Sequence, residues 1–157
     1  MKRLAIAATL AFLAAPALAH EVPSPTDVHG LWLTEDGAAT VRIANCPAED
    51  GGSAMDATPC GVITSADIPD GAPTTDVNNA DPALRGEPIV GLTMLDGFEW
   101  RKDKWRRGRI YNPEDGKSYR SSIAVDHDDM NTLKVKGCIG PICQTQRWTR
   151  VVETPTG

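Results

Sequence analysis

Three groups of side chains in this 157-residue chain have the types and spacings that chemistry requires. The first is nitrogen. His20 follows a small-x-small stretch, "ALA", and would become an N-terminal histidine if the chain were cut after Ala19. A terminal amine with its own imidazole chelates copper, and His29 or His127 could complete a three-nitrogen set. The competing reading is a frayed terminus that begins with histidine by chance. The second group is oxygen. "TDVNNAD" carries Asp76, Asn78 and Asp81, and "NPEDG" carries Glu114 and Asp115. Neither follows the EF-hand pattern. Hydrogen bonds that order a long loop explain the first, and a type I turn with Pro113 at its second position explains the other. The third group is aromatic and basic. "WRKDKWRRGRIYNPEDGKSY" holds Trp100, Arg109, Tyr111 and Tyr119, the candidate ligand contacts, within a run that is either an anion-binding patch or a solvated edge.

Enzyme signatures are scarce. The sequence has no nucleophile-elbow motif and no phosphate loop, so no catalytic residue and no cofactor is assigned. "DHDD" sets His127 among acids, but in a turn-like context. The four cysteines lack the C-x-x-C spacing of a redox site and the paired spacing of a zinc site. Of three connectivities, the two local pairs are favoured, Cys46–Cys60 and Cys138–Cys143.

The elements that must carry these residues are short and exported. Lys2 and Arg3, then "LAIAATLAFLAAP", then "ALA" read as a signal peptide over residues 1–19. Removing it leaves residues 20–157, one domain of 138 residues, bound for the periplasm or for secretion. With 14 basic and 21 acidic side chains it carries a formal charge of −7. That balance argues against nucleic acid as a partner, and no apolar run is long enough to span a membrane. Oligomeric state is not legible.

The rest of the chain alternates apolar and polar residues in short runs divided by Gly, Asp, Asn and Pro. Eight strands are predicted: "HGLWLTE", "AATVRIANC", "CGVITSADI", "IVGLTMLDGFEW", "DKWRRGRIYN", "GKSYRSSIAVDHD", "NTLKVKGCI" and "ICQTQRWTRVV". In the seventh, Leu133 and Val135 share one face and Lys134 and Lys136 the other. In the fifth, strict alternation sets Trp105, Arg107, Arg109 and Tyr111 opposite Arg106, Gly108 and Ile110. Eight antiparallel strands with mostly short connections suit an all-β, up-and-down barrel able to hold one small ligand. Two connections are long, one between Cys46 and Cys60 and one over Pro69–Pro88. The second includes a helical turn after Asp81 and is expected to gate the barrel mouth.

The segments "GLWLTEDG", "CGVI", "DVNNADPALRGEPIVGL", "GRIYNPEDGKSY", "LKVKGCIG" and "QRWTR" occur in that order. The chain thereby resembles a secreted bacterial family, domain of unknown function 2147, from about Gly30 to Arg150. The resemblance implies a lipocalin-like (calycin-type) barrel and supplies no activity. Similarity to lipocalins further implies that Gly30 and Trp32 open the first strand and that Arg150, beside Trp148 on the last, packs over Trp32 to close one end. The expected function is binding of a small apolar or amphipathic ligand. The alternatives are an envelope-interaction protein whose barrel is filled by side chains, and copper handling through His20.

Overall fold

The computed structural model describes residues 24, 26–47 and 58–152. The signal peptide, His20 and most of the connection between Cys46 and Cys60 lie outside the described residues. Among the described residues nine strands are present: β1 (Gly30–Leu33), β2 (Ala39–Asn45), β3 (Pro59–Ala66), β4 (Thr93–Asp96), β5 (Glu99–Arg101), β6 (Lys104–Asn112), β7 (Lys117–Asp126), β8 (Asp129–Ile139) and β9 (Ile142–Val151). Each is antiparallel to its neighbours, in the order β4-β3-β2-β1-β9-β8-β7-β6-β5. Pairing of β4 with β6 closes the sheet. Because β4 and β5 both pair with β6 along its length, they are two halves of one staggered strand. The result is an eight-stranded up-and-down barrel. A three-residue 3-10 turn, Pro82–Leu84, is capped by Asp81 as its sequence requires.

Two details differ from strict alternation, and each has a physical cause. The predicted strand "IVGLTMLDGFEW" is broken at Gly97, whose φ of +70° no extended residue adopts. The break turns the Phe98 ring into the core, where it is 1 % exposed. Gly108 on β6 makes room for it, since a Cβ there would lie 2.2 Å from the ring. The second difference is a bulge in β6. Trp105 pairs with Ile123 and Gly108 with Ser121, so two residues of β6 face one of β7. Arg107 takes a φ of +59° at this point. The extra residue shifts the face, and Trp105 enters the core together with Gly108 and Ile110.

The core occupies one end of the barrel. Trp32, Trp148, Phe98, Ile43, Leu95, Ile123 and Leu133 are almost fully buried there. At 0 % exposure Trp32 donates its indole N–H to the Val28 carbonyl at 2.8 Å. Arg150 is its register partner on β9 and sets its guanidinium 4.1 Å from the ring centroid. The same guanidinium donates to the carbonyls of His29 and Asp27, at 2.9 Å each, and of Met130 at 3.2 Å. This fork fixes the N-terminal segment across the barrel end. Both expected disulfides, Cys46–Cys60 and Cys138–Cys143, are present.

A cluster of ion pairs sits on the outside wall. Asp126 receives Lys134 at 3.0 Å and Arg147 at 2.8 Å, with only 7 % of its side chain exposed. The Lys134 contact first, then the Asp128 amide and Arg147, hold its carboxyl down at about 2. A lowered folded-state value stabilises the fold above the ordinary carboxylate range and loses that contribution as pH falls. Stability is therefore expected to decline between about pH 4 and pH 2, and Asp126→Asn is expected to flatten that limb in a chemical-denaturation series. A limb unchanged in Asp126→Asn would assign the acid sensitivity elsewhere.

Candidate functional site

The other end of the barrel is a cup of about 640 Å³, open at the mouth. Its emptiness follows from register. Along β6, β7, β8 and β9, Gly108 pairs with Ser121, Ser121 with Gly137, and Gly137 with Gln144. The Phe98 ring fills the space that Gly108 leaves, whereas Gly137, with no side chain, lines the cup beside Gln144. One layer nearer the core, Val135 and Gln146 are opposite each other. One layer nearer the mouth, Ile110 is opposite Tyr119, and Ile139 opposite Ile142. Ile63 and Met94 supply apolar wall from the other side. The filled-barrel alternative therefore describes one half of the interior, and the cup describes the other.

Polar groups share the lining, among them Thr34, Asp36, Asn112, Gln144 and Gln146. Gln146 accepts from the Trp148 indole at 2.8 Å, tying the cup to the plugged core. Thr34 and Asp36 lie at the mouth, where Asp36 accepts from the Thr34 hydroxyl at 2.6 Å and from the Ala38 amide at 3.0 Å. Those two hydrogen bonds hold its carboxyl below the usual carboxylate range.

The long connection forms the rim on one side. Its two limbs meet through an antiparallel bridge between Thr75 and Pro88. The carboxylate of Asp76, 0 % exposed, then accepts from the Tyr111 hydroxyl with both oxygens, at 2.8 and 2.7 Å, and from the Asn79 amide at 2.7 Å. Asn78 donates to the carbonyls of Pro113 at 3.2 Å and Glu114 at 2.9 Å. Burial, followed by the hydrogen bond to Asp76, pushes the Tyr111 phenol up to about 12. The connection is thus a strap pinned to the β6–β7 turn, and its Pro73, Val77 and Ile89 line the cup. The oxygen-rich stretch orders the loop through hydrogen bonds, as "TDVNNAD" suggests. Among the described residues no cluster of three or more metal-ligating side chains forms.

The candidate ligand contacts are dispersed. Tyr119 lines the cup, and its hydroxyl donates to the Asp115 carboxylate. Tyr111 is committed to the strap. Arg109 is outside, paired with Asp96 at 2.9 Å. Trp100 is at the plugged end, edge-on to Trp105 at 5.4 Å. The basic run of β5 and β6 mostly pairs with acids, Arg101 and Arg107 with Glu99 and Arg106 with Asp103. Gly30, Trp32, Trp148 and Arg150 belong to the plug and do not line the cup. His29, half-buried, and His127, in the β7–β8 turn, are also at the plugged end. The sequence reading missed Gly137, Gln144 and Gln146. Their signal was small and polar residues at inward positions, visible only once register is known.

Known proteins supply a frame for this geometry. A family model described as "Uncharacterized protein conserved in bacteria (DUF2147)" matches residues 30–150. A solved structure described as "Protein HP1028 from the human pathogen Helicobacter pylori belongs to the lipocalin family" is similar at a TM-score of 0.60 and 21 % identity, over 85 % of this chain and 84 % of that one. At that identity the likeness carries the fold. No curated protein matches the chain.

Proposed function

Since the chain belongs to the bacterial family DUF2147, whose description assigns no activity, we propose from its own geometry that it is an exported binding protein for a small apolar or amphipathic molecule. The observation that carries this reading is the cup. About 640 Å³ falls within the range of about 300–1,000 Å³ that small-molecule sites occupy. Its wall is more apolar than polar, and burying apolar surface is the general source of affinity for an apolar ligand. The two disulfides favour an oxidising compartment, which fits the leader-like first nineteen residues. No helix among the described residues is long and apolar enough to cross a membrane.

Gly137→Leu tests the reading directly. The backbone at Gly137 lies outside the left-handed region, and a Cβ there would have Ile110 Cγ2 at 3.6 Å as its nearest neighbour, an ordinary contact. A leucine is expected to grow into the cup and lower affinity for the neutral apolar dye N-phenyl-1-naphthylamine by at least roughly tenfold, with little loss of Tm. Native mass spectrometry of protein purified from its own host should show a bound small molecule that the variant lacks. Equal dye affinity in the two proteins would remove the cup from the function.

A further inference from the structure

The floor of the cup carries a hydrogen-bond donor whose direction is fixed from below. Along β8 and β9 the facing pairs run Ile139–Ile142, Gly137–Gln144, Val135–Gln146 and Leu133–Trp148. The first three pairs line the cup and the fourth does not. Leu133 and Trp148 are each 0 % exposed, so Val135 and Gln146 form the lowest rung of this wall. Gln146 is itself exposed, and Gly137 puts no side chain over that rung from β8.

The two ends of the Gln146 amide are told apart by Trp148. An indole N–H can only donate, so the atom it bonds at 2.8 Å is the amide oxygen. Exchanging the ends would set donor against donor and leave the buried indole unpaired. The NH2 end is therefore the one left for the cup. Val135, Ile63 and Met94 supply apolar wall around it, and a hydrogen bond made in such surroundings is stronger than one made in water.

Resting on the binding-protein reading above, we propose that the ligand carries a neutral carbonyl oxygen, as of a ketone, ester or amide, on the part that enters first, and that Gln146 Nε2 donates to it at the cup floor. A purely hydrocarbon end would displace water from this donor and give nothing back. A hydroxyl could accept, but its own proton would then need an acceptor, and the Gln146 oxygen is turned to the indole. A carboxylate would surrender its hydration for one neutral donor, since no Lys, Arg or His lines the cup.

Two probes of one shape test the assignment. 2-Acetylnaphthalene and 2-ethylnaphthalene share a ring system and differ in a carbonyl oxygen, and each is used to displace N-phenyl-1-naphthylamine. The ratio of their affinities cancels whatever a variant does to the cup as a whole. Gln146→Glu, at mildly alkaline pH, keeps an oxygen for the indole and replaces the donor with a carboxylate oxygen. It is expected to shift the ratio against the acetyl probe by roughly fivefold or more. Gln146→Leu removes the donor without adding charge and should shift the ratio in the same direction. Gln144→Leu, one rung higher, should leave it within about twofold. The infrared carbonyl stretch of bound 2-acetylnaphthalene, lowered by the hydrogen bond in the parent, should return towards its position in apolar solvent in both Gln146 variants. A ratio and a carbonyl stretch that neither Gln146 variant moves would overturn the proposal. An equal shift in Gln144→Leu would overturn the placement at the floor. A parent protein that binds the dye without these differences defeats this inference alone, whereas one that binds neither dye nor probe defeats the binding-protein reading with it.

Discussion

Trp32→Ala is expected to destabilise the protein by about 3–5 kcal/mol, the range for removing a fully buried large aromatic. The ring is 0 % exposed, so the variant leaves a cavity as well as losing transfer free energy. It also removes the surface on which Arg150 rests at 4.1 Å. A stacked guanidinium of this kind contributes about 0.5–2 kcal/mol, more where it is desolvated. Burial already pushes the Arg150 guanidinium down from its ordinary value, so loss of the ring leaves a partly dehydrated cation with carbonyl partners alone. Urea denaturation measures the loss. Trp32→Phe should recover part of it, since a smaller ring still fills the plug. Because Trp32 does not line the cup, dye affinity in the folded variant should stay within about twofold of the unaltered protein. Unchanged stability with lost binding would mean that Trp32 belongs to the ligand site and the plug assignment is wrong.

Much of the fold was legible because its signals are local. In "NTLKVKG" the alternation predicted that Leu133 and Val135 face inward, and both are buried while Lys136 is exposed. The cysteine pairs bring together strand ends that adjoin in any antiparallel arrangement, so nearness along the chain was a sufficient guide. What failed to show in the sequence was any feature created by one residue of slippage. Arg107 is a poor left-handed residue by type, and nothing local marks it as the bulge that turns Trp105 inward. Gly97 looked like an ordinary strand glycine, yet it divides β4 from β5 and delivers Phe98 to the core. The cup was illegible for a related reason. Ile110, Gly137 and Gln144 lie on three different strands, and only the register brings them to one wall. Hence Tyr119 was found by being aromatic, while the residues that create the space beside it were passed over.

The strap depends on one glycine, and its substitution is the second large effect. Gly116 ends the β6–β7 turn at a φ of +66°, and a Cβ there would sit 1.8 Å from the Asn78 carbonyl oxygen. That neighbour is backbone and cannot swing away as a flexible side chain would. Gly116→Ala therefore combines left-handed strain of about 1–2 kcal/mol with an overpacking cost of about 1–3 kcal/mol, unless the strap lifts off. Lifting it separates Asn78 from the Pro113 and Glu114 carbonyls and places load on the Asp76–Tyr111 pair. A buried carboxylate that loses its phenol donor is left with an unmet acceptor, which is costly. The easier response is local: the segment from about Thr74 to Ile89 opens while the barrel stays closed. Hydrogen exchange should then show the Asp76 and Ile89 amides, which bond to Glu87 and Thr74 across the strap, losing protection by roughly 30-fold or more. The β8 amides should keep theirs. Tyr111→Phe should produce the same pattern more weakly, since it removes the phenol donor without a clash. If the strap forms one side of the binding rim, both variants release the dye faster. Strap amides as protected in Gly116→Ala as in the parent would mean that the β6–β7 turn moves instead, and that Asn78 is not what holds the rim in place.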